Sequence, residues 1–170
     1  MDLKLKGRSA LITGASKGIG YSIAQFLAAE GCPLHLVARS QADLEAARER
    51  IGKQYGVPVA IHPMNLAERG RAKELAAKCP GVDILVNNAG SIPRGSVEEI
   101  DEDRWRESWD LKVFGYINMS REFFRLMKAR RNGVIINILG NGGEALDAGY
   151  IAGGAGSIQH AVRLGDAEQI

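Results

Sequence analysis

The sequence predicts an α/β protein with a doubly wound parallel sheet of about five strands, and three observations support this. Short apolar segments alternate with helical patterns along the 170 residues. The segment 82–88 is almost continuously apolar, as expected of a strand covered on both faces. A glycine-rich turn from Gly14 to Gly20 joins the first apolar segment to a helical pattern. Such alternation implies right-handed crossovers, and we expect the strand order 3-2-1-4-5.

Local signals place the elements in order. The predicted strands are residues 8–13, 34–37, 57–61, 82–88 and 134–138, and the predicted helices are 19–30, 41–55, 66–78 and 101–130. Gly31 and Pro33 end the first helix, and Ser40 stands where an N-cap opens the second. The long helix is expected to break near Gly115.

Composition narrows the class of protein. The chain is 45% apolar and 25% charged, typical of a soluble globular domain, and its net charge of +2 gives no argument for nucleic-acid binding. No apolar run approaches the roughly 20 residues of a membrane span, and the N-terminus lacks the apolar core of a signal peptide. We therefore expect a cytoplasmic protein without nucleic-acid or membrane partners.

The glycine turn is the first candidate functional element. Gly14 suits a sharp turn, Gly18 lets a diphosphate approach the backbone, and Gly20 lets the helix lie close to the strand. The free N–H groups and the dipole of the following helix favour an anion. The spacing is neither GxGxxG nor a P-loop, so a plain strand-to-helix turn is the alternative.

Two motifs identify a family resemblance. Residues 13–20 read TGASKGIG and residues 87–90 read NNAG, in the order and setting found in short-chain dehydrogenases/reductases. The chain resembles that family over about residues 5–155. The resemblance implies a Rossmann-like fold that binds a nicotinamide dinucleotide at the carboxyl ends of the strands. The implied cofactor-binding residues are Gly14, Ser16, Lys17, Gly18, Ile19, Gly20, Arg39, Ser40, Asn65, Leu66, Asn88, Ala89 and Gly90.

Charge suggests which nicotinamide cofactor is preferred. No carboxylate directly follows the second strand, where it would bind the ribose hydroxyls and repel a 2′-phosphate. Arg39 and Ser40 stand there instead, and Lys17 offers a second cation. We expect NADP(H), with NAD(H) as the second choice. The alternative is that both cations are solvated surface residues.

The catalytic positions depart from the family pattern. The family carries an Asn on the long helix, a Ser after the fifth strand and a YxxxK pair. These positions fall on Lys112, Gly140, Tyr150 and Gly154. One interpretation is that Lys112 lowers the pKa of Tyr150 and so replaces the missing lysine. The other is that Lys112 extends to solvent, that Tyr150 merely covers the edge of the core, and that catalysis is absent.

Two functions therefore remain open. One is hydride transfer between NADP(H) and a small-molecule carbonyl or secondary alcohol; the other is an inactive, truncated nucleotide-binding fragment or pseudoenzyme. We expect residues 1–155 to form the NAD(P)-binding domain and 156–170 a short helical or disordered tail, without the family's usual C-terminal strands. The uncovered sheet edge and the apolar long helix suggest a homodimer or homotetramer.

Metal binding is not predicted from the spacing of possible ligands. Cys32 and Cys79 form no CxxC or Cys/His motif, so we expect two small buried thiols. His35, His62 and His160 are scattered along the chain and are interpreted as strand or surface residues.

Overall fold

The computed structural model describes residues 3–140 and 149–158. Five parallel strands form one sheet in the order β3-β2-β1-β4-β5, which confirms the predicted topology. The strands are β1 (Ala10–Thr13), β2 (Leu34–Ala38), β3 (Val59–Pro63), β4 (Ile84–Asn87) and β5 (Val134–Asn137). The helices are α1 (Gly18–Ala29), α2 (Gln41–Tyr55), α3 (Arg71–Lys78), α4 (Glu102–Trp109), α5 (Gly115–Arg130) and α6 (Ile151–Ile158).

Apolar residues on both faces of the sheet form two core layers. In β1, Ala10 and Ile12 pack with Leu44 and Ile51 of α2, whereas Leu11 packs on the opposite face with Leu75, Met119 and Phe123. This alternation follows from the two-residue side-chain period of a strand. Because helices cover both faces, the central strands β1 and β4 are buried along their whole length.

Two predicted boundaries need correction. The third strand is Val59–Pro63 rather than 57–61, because Leu34 pairs with Val59 and the ladder extends to Ala38 opposite Pro63. Proline is tolerated there because β3 is an edge strand. The third helix begins at Arg71 rather than at residue 66, because the Asn65 side chain accepts a hydrogen bond from the Ala67 N–H at 3.2 Å and holds a turn instead.

The long helix is interrupted near Gly115, as the sequence predicted. A π-helical turn, Asp110–Phe114, separates α4 from α5 and ends immediately before Gly115. Such turns insert one extra residue and are frequent at functional sites. Lys112 occupies the middle of this turn.

A polar cluster lies within the otherwise apolar layer beside α3. The side chains of His35, His62 and Cys79 meet there, and Cys79 is 3% exposed. Burial lowers the pKa of His35, and burial together with nearby His35 and Lys78 lowers the pKa of His62 to about 4. Burial raises the pKa of the Cys79 thiol.

In residues 3–140 and 149–158, no helix has the length and apolar character needed to cross a membrane. Helix α6 runs across the boundary expected at residue 155, while 159–170, including His160, lie outside the described residues. The division at residue 155 therefore stays a prediction.

Candidate functional site

A cavity of about 400 Å³ opens at the carboxyl edge of the sheet, between β1, β2 and β4. It brings together residues that are far apart in the sequence but that follow the strands or the glycine turn. Ten of the predicted cofactor-binding residues line it: Gly14, Ser16, Lys17, Ile19, Arg39, Ser40, Leu66, Asn88, Ala89 and Gly90. The carboxyl edge is where α/β sheets bind ligands.

The glycine turn closes tightly on β4. Gly14 has φ +67°, and a Cβ there would lie 3.0 Å from both the Ala89 Cα and the Asn88 Nδ2. A Cβ on Gly20 would overlap the Gly14 carbonyl oxygen and approach the Asn88 Nδ2 to 2.5 Å. Gly18 instead faces open space. Gly14 and Gly20 thus permit the close packing of the turn, while the backbone at Gly18 stays accessible to a diphosphate.

Hydrogen bonds between β1 and β4 hold this turn in place. The Thr13 hydroxyl accepts from the backbone N–H groups of Asn88 and Ala89, each at 2.9 Å. The Asn88 side-chain amide donates to the carbonyl oxygen of Thr13 at 2.9 Å and to that of Gly14 at 3.3 Å. Asn88 is therefore a positioning residue for the turn as well as part of the cavity wall.

Positive groups gather at the β2 end of the cavity. Arg39 and Ser40 follow β2, and Lys17 reaches the same cavity from the glycine turn. Ser40 caps α2 as predicted, because its hydroxyl accepts from the Asp43 N–H at 3.2 Å. The helix N-terminus adds positive potential, whereas the Asp43 carboxylate adds a negative charge that the sequence reasoning missed.

Asn65 does not line this cavity, although Leu66 beside it does. The Asn65 side chain holds the turn at Ala67, because its amide oxygen accepts a hydrogen bond from the Ala67 N–H. Met64 and Leu66 form the apolar wall here. A role of Asn65 in cofactor binding stays a prediction.

Lys112 points inward from the π-helical turn. Its ammonium donates to the Tyr116 hydroxyl and to the Ile138 carbonyl oxygen, each at 2.7 Å, and lies 4.3 Å from the centre of the Tyr116 ring. Burial lowers the pKa of Lys112 to about 8 and raises the pKa of Tyr116. The interpretation that Lys112 extends to solvent is therefore wrong.

Lys112 does not line the cavity, but it packs against a residue that does. A Cβ on Gly90, which lines the cavity, would lie 2.8 Å from the Lys112 Cδ. Gly90 thus leaves space for the lysine stem beside the NNAG segment. The ammonium of Lys112 is held between α5 and the residue that follows β5.

Tyr150 stands just before α6 and does not line the cavity. It forms a parallel bridge with Gly95, whose N–H donates to the Gly149 carbonyl oxygen at 2.8 Å. Its ring covers Gly153, because a Cβ there would overlap the ring carbons. A catalytic role of Tyr150, and its partnership with Lys112, stay predictions. Gly140 offers no hydroxyl, and it has open space around it.

The sequence profile of the short chain dehydrogenases matches residues 8–158. The chain belongs to the short-chain dehydrogenase family. This confirms the resemblance drawn from the TGASKGIG and NNAG segments.

Individual relatives agree with this assignment. The chain is 36% identical over 162 residues to nodulation protein G of Rhizobium sp. (strain N33), covering 91% of this chain and 64% of that protein. It is 33% identical over 160 residues to 3-oxoacyl-(acyl-carrier-protein) reductase FabG of Vibrio cholerae, covering 92% of this chain and 65% of the relative. The chain thus spans slightly less than two thirds of these relatives.

Solved structures match the fold over nearly the whole chain. L-sorbose reductase from Gluconobacter frateurii, complexed with NADPH and L-sorbose, superposes with a TM-score of 0.89 at 29% identity, covering 94% of this chain and 62% of the reductase. A short-chain dehydrogenase from Sphingobium yanoikuyae in complex with NADPH gives a TM-score of 0.84 at 27% identity, covering 89% and 60%.

The residues that line this cavity fit a nicotinamide dinucleotide. The glycine turn offers backbone N–H groups at the start of α1, and the open space at Gly18 admits the diphosphate. Gly14 and Asn88 to Gly90 form the floor of the same cavity. Bound there, a dinucleotide would supply the hydride chemistry, while the protein supplies the binding surface.

Proposed function

We propose that this chain binds NADP(H) and takes part in hydride transfer between the nicotinamide and a small-molecule carbonyl or secondary alcohol. The observation that carries the proposal is the cavity in which the glycine turn, Arg39 and Lys17 converge. Both solved relatives described above were obtained with NADPH, which supports the same cofactor here. We further propose a cytoplasmic location and a homodimeric or homotetrameric assembly.

The preference for NADP(H) over NAD(H) is argued from charge. A 2′-phosphate carries up to two negative charges, and Arg39 can bind it with two parallel hydrogen bonds while Lys17 acts as a point charge. The Ser40 hydroxyl and the N-terminus of α2 adjoin the same end of the cavity. The Asp43 carboxylate repels a phosphate there. The preference for NADP(H) therefore requires the attraction of Arg39 and Lys17 to exceed the repulsion by Asp43.

The reaction requires a proton as well as a hydride. Reduction of a carbonyl takes a hydride onto carbon and a proton onto oxygen, and oxidation of an alcohol runs the reverse. We assign the proton transfer to the Tyr150 hydroxyl, and we assign Lys112 a supporting electrostatic role from the π-helical turn. At neutral pH Lys112 is protonated in most molecules, because its pKa is about 8.

One observation favours a second function, nucleotide binding without catalysis. The Lys112 ammonium is already engaged by Tyr116 and Ile138, and Gly140 provides no hydroxyl to orient a substrate. A protein with this arrangement would bind the dinucleotide and leave a carbonyl unreduced. Binding and turnover therefore have to be measured separately.

Binding is tested by titrating the full chain with NADPH and with NADH, following nicotinamide fluorescence. We expect NADPH to bind about tenfold or more tightly, a difference of about 1.4 kcal/mol. Arg39→Ser should abolish the difference by weakening NADPH alone. Arg50→Ser, an exposed arginine on α2, serves as the charge-matched control. Equal affinities for the two cofactors in the unmodified chain would refute the NADP(H) preference.

Turnover is tested in the same preparation by NADPH oxidation against a panel of aldehydes and ketones. Oxidation that depends on the added carbonyl supports the oxidoreductase. Tight NADPH binding with no oxidation across the panel supports the binding protein instead. Failure to bind either cofactor would refute both functions.

A further inference from the structure

We propose that His35, His62 and Cys79 form a binding site for a divalent transition-metal ion, with Zn²⁺ as the best-matched ion. The site is separate from the dinucleotide cavity, because none of the three residues lines that cavity. It does not depend on the proposed function.

Sheet register brings the two histidines to one face. His35 and Val37 are two residues apart on β2, so their side chains point to the same side of the sheet. Val37 pairs with His62 of β3, which therefore projects from that side as well. The two histidines are diagonal neighbours on adjacent strands.

Helix α3 supplies the third ligand. Cys79 is its C-terminal capping residue, and its backbone N–H donates to the Leu75 carbonyl oxygen at 3.0 Å. The end of α3 thus sets the thiol over the two imidazoles. Three separate elements contribute one ligand each, which is why no linear spacing motif marks the site.

The distances between ligand atoms match those of a tetrahedral zinc site. The His35 Nδ1 lies 3.0 Å from the His62 Nε2, and the Cys79 Sγ lies 3.4 Å and 3.5 Å from these nitrogens. Bonds of about 2.0 Å to nitrogen and 2.3 Å to sulfur at tetrahedral angles give separations of about 3.3 Å and 3.5 Å. The sulfur already stands at its required separation, and the nitrogens need to part by a few tenths of an ångström.

The ring orientation shows what the ion would replace. The ring centres are 5.3 Å apart and the planes differ by 22°. With the facing nitrogens only 3.0 Å apart, the rings must meet edge to edge and share an N–H···N hydrogen bond. Ion binding requires both rings to tilt, so that the two lone pairs turn from each other toward a common centre.

The proton balance of binding is simple. The imidazole that donates the shared hydrogen moves its proton to its other ring nitrogen, so both neutral rings present a lone pair. The thiol gives up its proton and binds as thiolate. The net reaction of M²⁺ with the Cys79 thiol forms a metal–sulfur bond and releases one proton.

The surroundings favour an ion that keeps one position open. Three protein ligands leave a fourth for water, the arrangement of an open zinc site. Lys78 adjoins Cys79 and would repel a cation, but its ammonium is paired with the Glu74 carboxylate at 2.7 Å. The bound ion would link β2, β3 and α3. Arg39 is the residue that follows β2.

The test uses the full chain, freed of metal with a chelator and then titrated with Co²⁺ and with Zn²⁺. We expect one equivalent of Co²⁺ to give a thiolate-to-metal charge-transfer band together with the intense visible bands of a tetrahedral site. Zn²⁺ should displace the cobalt and raise the melting temperature. Absence of the charge-transfer band in the folded chain would overturn the proposal.

Variants distinguish metal binding at this site from metal binding elsewhere on the chain. Cys79→Ser should lose the charge-transfer band. His62→Gln should weaken binding by about a hundredfold or more, since loss of a direct ligand costs more than the 10- to 100-fold typical of an outer-shell partner. Cys32→Ser, which alters the other buried free cysteine, should keep both the band and the affinity. Circular dichroism verifies folding of each variant. Retention of the band in Cys79→Ser would overturn the assignment, as would its loss in Cys32→Ser.

Discussion

The Lys112 ammonium and the Tyr116 hydroxyl lie 2.7 Å apart, and both groups hydrogen-bond the Ile138 carbonyl oxygen. Tyr116 is buried, at 2% exposed, and Lys112 is partly buried. Desolvation shifts both groups toward their neutral forms: the pKa of Lys112 falls to about 8, and the pKa of Tyr116 rises. The contact fixes the start of α5 to the residue that follows β5, at the edge of the candidate site.

Replacement of Lys112 by methionine should change how stability depends on pH. The pKa of this lysine falls from 10.5 in the unfolded chain to about 8 in the folded one. The unfolded state therefore binds more protons between these values, and the lysine's contribution to stability increases as the pH rises through that window. Below about pH 8 the lysine is charged in both the folded and the unfolded chain, so the folded state carries the full free-energy cost of the buried charge.

The measurement is the free energy of unfolding in urea at pH 7 and at pH 10. The stability advantage of wild type over Lys112→Met should grow by about 2 kcal/mol between pH 7 and pH 10, since solvent near the partly buried Lys112 reduces the full effect. Lys73→Met, at an exposed lysine on α3, controls for the loss of one positive charge. A difference that does not vary with pH would contradict the buried position of the ammonium.

Alanine at Gly20 should disrupt the glycine turn. A Cβ there overlaps the Gly14 carbonyl oxygen, so α1 or the turn must move, at a cost of about 1–3 kcal/mol. We expect a lower free energy of unfolding and weaker binding of NADPH in titrations.

Gly52→Ala is the matched control for this change. Gly52 lies inside α2, and a Cβ there meets nothing within 4 Å. Alanine at that position should stabilise the protein by about 0.5–1 kcal/mol and leave NADPH binding unchanged. If Gly20→Ala is tolerated as well as Gly52→Ala, the close approach between α1 and β1 is not required.

The sheet and most of the cavity follow from local signals that the sequence carries. Alternating strands and helices indicate a doubly wound parallel sheet, which the order 3-2-1-4-5 fits, and the residues after each parallel strand gather at one edge. Ten of the predicted cofactor-binding residues accordingly line one cavity. The glycine spacing was informative because a Cβ at Gly14 or Gly20 would lie too close to neighbouring atoms.

Features that depend on contacts between distant elements could not be predicted in this way. The partners of Lys112 were missed because the π-helical turn changes the direction of its side chain, and helical periodicity does not reveal an inserted residue. The juxtaposition of His35, His62 and Cys79 was missed because it requires the β2–β3 register and the end of α3. Asp43 lies four residues beyond Arg39, and only the direction of α2 brings it to the cavity.

Neutralising Asp43 should strengthen NADPH binding. Its carboxylate borders the end of the cavity that carries Arg39 and Ser40, where it repels a 2′-phosphate. Asp43→Asn keeps the shape of the side chain and removes the charge. We expect the Kd for NADPH to fall severalfold at low salt, with little change for NADH, when both are measured by fluorescence titration.

Glu49→Gln provides the control for the Asp43 change. This exposed carboxylate lies further along α2 and does not line the cavity. Any general effect of net charge should appear in both variants, and added salt should diminish it. Equal improvement in the two variants, or an equal gain for NADH, would argue against a phosphate beside Asp43.

Tyr116 and Tyr150 should differ in their effect on turnover. Tyr116 is buried, its pKa is raised, and its hydroxyl donates to the Ile138 carbonyl oxygen at 3.1 Å, so it is poorly suited to exchange a proton with a substrate. If the chain reduces a carbonyl, Tyr150→Phe should lower kcat by about a hundredfold or more, as expected for loss of a general acid. Tyr116→Phe should lower the melting temperature and leave kcat within about threefold of wild type, since an interaction outside the reacting centre is removed.

Steady-state NADPH oxidation and thermal unfolding of both variants distinguish these roles. The opposite result, with turnover lost in Tyr116→Phe and kept in Tyr150→Phe, would move the proton transfer to the Lys112 and Tyr116 pair.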